Sequence, residues 1–211
     1  MESNQHLDNL VHIRSLMEKS TRFLSLSGLT GVAAGIYALI AAFIAWWYLD
    51  NPGVASSYSR LIHPLQISGI LTHYLFFVAL AAATLIMSLV TGVVFTMRKA
   101  SKRGETVWNK ASKRMAINLM IPLAAGGLFC AQLINYGLPA LVAPAMLIFY
   151  GLALINGSKY TLEDIRYLGL IEIVLGILNL FFIMYGLWFW AIGFGVMHIV
   201  YGVVMYYKYE A

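Results

Sequence analysis

Glu172 is the single acid in a stretch, residues 167–207, that is otherwise free of charge. An ionisable group deep in an apolar helix costs several kcal/mol or more, depending on the scale, so it faces protein or water. Glu172, Gly176 and Asn179 follow i, i+4, i+7 and share one helical face. Further on, Ala191, Gly195, His198 and Gly202 do the same. Counting from the break at Gly186, Glu172 lies roughly 21 Å down one helix and His198 roughly 18 Å down the next. An acid and an imidazole at matching depth can lock two helices together, or hold a proton or ligand. The expected intramembrane site is therefore Glu172, His198 and Asn179.

Other candidates are weaker. His73 falls near the outer end of a helix and His63 precedes Pro64 in a loop. Bis-histidine haem needs two facing histidines at one depth, and His73 and His198 differ in depth. Zinc held by His63, His73 and Asp50 would lack a recognised spacing. Cys130 is the only cysteine, which rules out an internal disulfide and multi-cysteine metal sites. There is no buried aspartate pair, no Gly-x-Ser-x-Gly elbow, no His-Glu-x-x-His and no P-loop. No catalytic residue, cofactor or metal is expected, and the chain reads as a non-enzyme.

These residues must be positioned by helices in lipid. Hydrophobic residues make up 61% of the 211 and charged residues 11%, against about 45–50% and about 25% in soluble domains. Too few polar groups remain to cover a soluble globule, and disorder is excluded by the same numbers. Residues 23–49, 61–97, 115–158 and 167–207 are free of charge apart from histidines and Glu172. One span needs about 20 residues, so the first two stretches hold one helix each and the last two hold two each. Turn signals at Asn135–Pro139 and Tyr185–Gly186 divide the long ones. The spans are read near 24–49, 69–97, 115–135, 138–157, 167–185 and 187–207. A β-barrel would alternate over about ten residues instead.

With the amino terminus inside, every one of the 14 basic residues except Arg60 falls on the inner side. Six spans with both termini cytoplasmic follow, in a cytoplasmic-type membrane. Trp46, Trp47, Tyr48, Trp188 and Trp190 suit the outer belt, and Tyr206, Tyr207 and Tyr209 the inner one. No cleavable signal or lipidation pattern is read at either end. The expected fold is all-α: residues 1–22 a cytoplasmic amphipathic segment, residues 23–211 a single six-helix transmembrane domain, with a basic loop at 98–114.

Residues 4–22 read as an interfacial helix, with a docking helix for a cytosolic protein partner as the sharper option. The 98–114 loop carries Ala-Ser-Lys-Arg twice and points to anionic lipid. Nucleic acid is not expected, because no fold presents those charges. Oligomeric state is not legible. Gly28-Leu29 with Gly35-Ile36 matches Gly169-Leu170 with Gly176-Ile177, and Thr91-Gly92, Tyr150-Gly151 and Tyr201-Gly202 match one another. These echoes predict three hairpins in parallel repeat. That layout resembles small bacterial stress-associated membrane proteins of the HdeD type, in layout rather than in any motif. The functional expectation is a membrane scaffold, sensor or stress-response protein. The alternative is a small proton-coupled transporter or permeation path through Glu172 and His198.

Polar stripes are read as turned inward: Asn118, Pro122, Ala125, Phe129 and Gln132 on the third helix, and Thr84, Ser88 and Thr91 on the second.

Overall fold

The computed structural model describes residues 23, 27–50, 67–102, 104 and 107–210. The amphipathic segment, with His6 and His12, lies outside the described residues, as do Arg60 and His63.

Six long helices form, and among the described residues there is no strand. They are α1 (Gly28–Asp50), α2 (Ile67–Lys102), α3 (Lys110–Asn135), α4 (Val142–Ser158), α5 (Ile165–Phe181) and α6. The last runs as an α-helical turn Gly186–Trp190, a π-helical stretch Ala191–Met197 and an α-helix His198–Tyr209. Five of the six are long and apolar enough to cross a membrane, which gives the chain the character of a membrane protein. The exception is α5, whose 17 residues make about 26 Å at 1.5 Å per residue, short of a hydrocarbon core of about 30 Å; α4 has the same length but is continued by the turn Pro139–Leu141 into a 20-residue apolar helix.

Local chemistry sets the ends. α2 runs past the apolar stretch to Lys102 and stops where Gly104 takes a φ of 64°, a conformation that suits glycine. α3 starts in a capping box: Asn109 Oδ1 accepts from Ser112 N–H and Ser112 Oγ from Asn109 N–H. Gly137, at φ 71°, turns the chain out of α3, and Pro139 opens the 3-10 turn that leads into α4.

The chain forms two compact units, one from Met1–Leu26 with Thr96–Ile183, the other from Ser27–Phe95 with Met184–Ala211. In the first, α4 packs on both α3 and α5. The ring of Phe149 fills the notch at Gly126, and Asn156 Nδ2 donates to the Asn118 carbonyl at 2.7 Å. Phe23 is strapped to the α4–α5 loop: its N–H donates to Tyr160 O, and the Thr161 hydroxyl donates to Phe23 O at 2.7 Å.

In the second unit, α1 packs on α6, and α2 meets α1 through side chains. Tyr37 and Thr91 hydroxyls bond at 3.1 Å, and the Thr30 methyl abuts Gly92. Glu210 closes the amino end of α1, its carboxylate accepting from Gly28 N–H at 2.5 Å and from Ser27 Oγ at 3.1 Å. A carboxylate at that end satisfies an orphan donor and the helix dipole together. Glu210→Ala should therefore cost about 1 kcal/mol, read as a lower thermal midpoint in detergent. Glu210→Gln, which keeps one acceptor, should fall between it and wild type.

Candidate functional site

Helix α5 turns Leu168, Gly169, Glu172, Gly176 and Asn179 into the first unit. Glycine makes this possible. A Cβ on Gly169 would stand 2.7 Å from Gly151 O, one on Gly151 would stand 2.5 Å from Gly169 O, and one on Gly176 would stand 2.9 Å from Pro144 O. Only bare hydrogens let the α4 and α5 backbones come so close. Glu172 and Asn179 sit along this seam with 0% of their surface exposed. Tyr150 of α4 interacts electrostatically with Glu172. Asn179 Nδ2 donates to Phe182 O at 3.1 Å at the end of α5, while its Oδ1 is buried with no hydrogen-bond partner among the described residues.

The second unit holds a seam of the same kind between α1 and α6. A Cβ on Gly28 would stand 2.5 Å from Gly202 O, one on Gly202 would stand 2.6 Å from Gly28 O, and one on Gly35 would stand 2.6 Å from Gly195 O. His198 lies on it, buried. Its Nδ1–H reaches Gly193 O at 3.0 Å and its ring stacks on Phe194 with centroids 5.9 Å apart. It follows directly on the π-helical stretch, an irregularity that tends to gather at functional sites.

Of the predicted site, then, Glu172 and Asn179 share the α4–α5 seam and His198 belongs to the α1–α6 seam. The closest helix approaches do not follow all the expected hairpins. α3 packs with its neighbour α4, but the glycine seams join the fourth helix to the fifth and the first to the sixth.

The polar stripes divide. On α2, Thr84, Ser88 and Thr91 are less exposed than the residues around them, as a protein-facing stripe should be. On α3 the expected inward stripe fails over its carboxy-terminal part: Ala125, Phe129 and Gln132 are exposed. There the helix packs through Gly126 and Leu133, because Gly126 is where the Phe149 ring fits.

Two features escape a reading of the sequence. Tyr150 is one, although its repetition as Tyr-Gly at 150 and 201 was a signal. The other is a short hydrogen bond of 2.6 Å between the Tyr48 hydroxyl and His73 Nδ1, with Tyr48 stacked on Phe76 at 3.8 Å. Among the described residues no three His, Cys, Asp or Glu side chains gather as a metal site.

The chain matches no family model, no curated protein and no solved structure.

Proposed function

We propose that this is a membrane scaffold, sensor or stress-response protein that performs no enzymatic chemistry. Its six helices are read as spans of a cytoplasmic-type membrane, with both termini inside. Supporting that orientation, all of the 14 basic residues except Arg60 belong to the inner segments. The basic segment 98–114 is read as the contact for anionic lipid, and residues 1–22 as the contact for lipid or a cytosolic partner.

One observation carries the reading against transport: the acid and the amide are shut inside a seam, with 0% of Glu172 and Asn179 exposed. A permeation path needs polar groups that line an open way. The polar residues toward the outer end of α3, Gln132 and Asn135, lie exposed on that helix and bond to each other at 3.4 Å.

The repeat reading draws support from the two glycine seams, whose contacts correspond residue by residue. The second functional reading is a small proton-coupled transporter using Glu172, His198 and Asn179. It is favoured by the π-helical stretch that ends at His198.

Flux separates the two. Protein reconstituted in liposomes under a pH gradient should move no more protons than empty liposomes. Flux above that background, lost in Glu172→Gln, would establish transport instead. Topology has its own test: on a Cys130→Ser background, a cysteine placed at position 105 should be labelled only after the membrane is breached.

A further inference from the structure

We propose that α3 carries a binding site for an anionic glycerophospholipid, its phosphate held by Lys110, Lys113 and Arg114 and an acyl chain laid along Ile117 and Ile121. The proposal rests on the reading that residues 98–114 lie at the inner membrane surface, and adds which residues of that segment hold the lipid.

The start of α3 keeps its charges apart from its packing. Ala111 and Ser112 are buried, and further along so are Gly126 and Leu133. That face belongs to the protein, where α3 packs on α4. Lys110, Lys113 and Arg114 stand exposed. Residues 98–114 hold seven basic residues and a single acid, Glu105. The segment therefore carries an excess of positive charge for an anion to neutralise.

The same side of the helix continues as apolar surface. Lys110, Arg114, Ile117 and Ile121 follow i, i+4, i+7, i+11 and lie in one line along α3. Ile117 is 61% exposed and Ile121 62%, with Met120 exposed beside them. One leaflet's share of a hydrocarbon core of about 30 Å is about 15 Å. At about 1.5 Å per residue that is about ten residues, the distance from Arg114 to Ala124. Cations at the head and apolar surface over one leaflet's depth match an amphiphile. A free phosphate or an acidic peptide would use the charges and leave the apolar line unused.

Trp108 marks the level of the headgroup. Its side chain is 70% exposed, and Lys113 Nζ lies 5.8 Å from the ring centroid. Tryptophan settles at the membrane interface, where its ring meets chains and its N–H meets polar groups. The one tryptophan of the 98–114 segment thus stands beside cations that would hold a phosphate at that level. α2 ends with exposed Arg98 and Lys102, while Lys99 between them is buried. That pair supplies the matched control.

The test titrates the full chain, in an uncharged detergent, with dioleoyl phosphatidylglycerol or dioleoyl phosphatidylcholine, and counts bound lipids by native mass spectrometry. Wild type should retain phosphatidylglycerol in preference. The triple variant Lys110→Gln/Lys113→Gln/Arg114→Gln should bind phosphatidylglycerol about tenfold more weakly or worse, since each cation near the surface adds to the attraction. Its phosphatidylcholine binding should not change. Arg114→Gln alone should give an intermediate loss. Arg98→Gln/Lys102→Gln should lose less than the triple variant. Wild-type binding by the triple variant, or by Arg114→Gln should the triple fail to assemble, would overturn the site. So would an equal loss in the α2 control, and either result would leave a lipid contact for the segment as a whole. Equal retention of both lipids by wild type would overturn the site and that broader reading together. Glycerol phosphate and inorganic phosphate in excess should not displace the lipid. Displacement by either would make the ligand a soluble anion and overturn the proposal.

Discussion

Gly202→Val should abolish the folded protein. A Cβ at Gly202 would stand 2.5 Å from Val32 N and 2.6 Å from Gly28 O, both backbone atoms that cannot rotate away. The first and sixth helices would have to separate, and every contact along the seam would weaken at once. Overpacking usually costs about 1–3 kcal/mol where side chains can adjust, and more where they cannot. Here about 3 kcal/mol or more is expected, since two added methyls follow the Cβ. Size-exclusion chromatography and thermal scans in detergent should show aggregation or a midpoint too low to measure. Gly151→Val should do the same to the first unit, its Cβ falling 2.5 Å from Gly169 O. Gly127→Ala is the control. It has nothing within 4 Å of the added Cβ and should be neutral or slightly stabilising, since alanine favours the helix by about 1 kcal/mol. Equal damage from both substitutions would show that glycine flexibility matters here, rather than close approach.

Leu147→Ala should give the next largest loss. Leu147 has 0% of its surface exposed and holds the seam position that His198 holds in the other unit. In a soluble core such a truncation costs about 2–5 kcal/mol, part of it lost transfer from water and part a cavity. A helix leaving this seam enters lipid, which is as apolar as leucine, so little of the transfer part is at stake. What remains is lost dispersion contact around a void. About 1–3 kcal/mol is therefore expected, seen as a lower midpoint without loss of assembly. Leu128→Ala, at a side chain 73% exposed, should change almost nothing, because lipid replaces what the truncation removes. A large loss at Leu128 would mean that this face is covered by protein in the membrane.

Much of the architecture was legible without coordinates, because lipid imposes a simple demand. A backbone in hydrocarbon must satisfy its own hydrogen bonds, so uncharged runs of sufficient length become helices. The charge-free stretches, the Asn135–Pro139 turn and the break near Gly186 placed all six helices within a few residues of where they form. The basic loop hid the true end of α2, since lysine and arginine are good helix formers and only Gly104 stops the helix. Burial of Glu172 was legible for the same reason as the spans: a lone acid in an apolar helix must avoid lipid.

Helix pairing was not legible. Lipid-facing and protein-facing surfaces of a span are both apolar, so hydropathy carries little information about which helix meets which. On α3 this misdirected the reading of Phe129 and Gln132, which lie exposed. Glycine spacing did carry the information, since Gly28 with Gly35 and Gly169 with Gly176 marked the close faces. It could not say that α5 would take α4 as its partner, or α1 take α6. Depth alone had matched Glu172 with His198. In the structure Glu172 lies on the α4–α5 seam and His198 on the α1–α6 seam, because a seam closes where glycines on two helices meet in register, which depth by itself does not reveal.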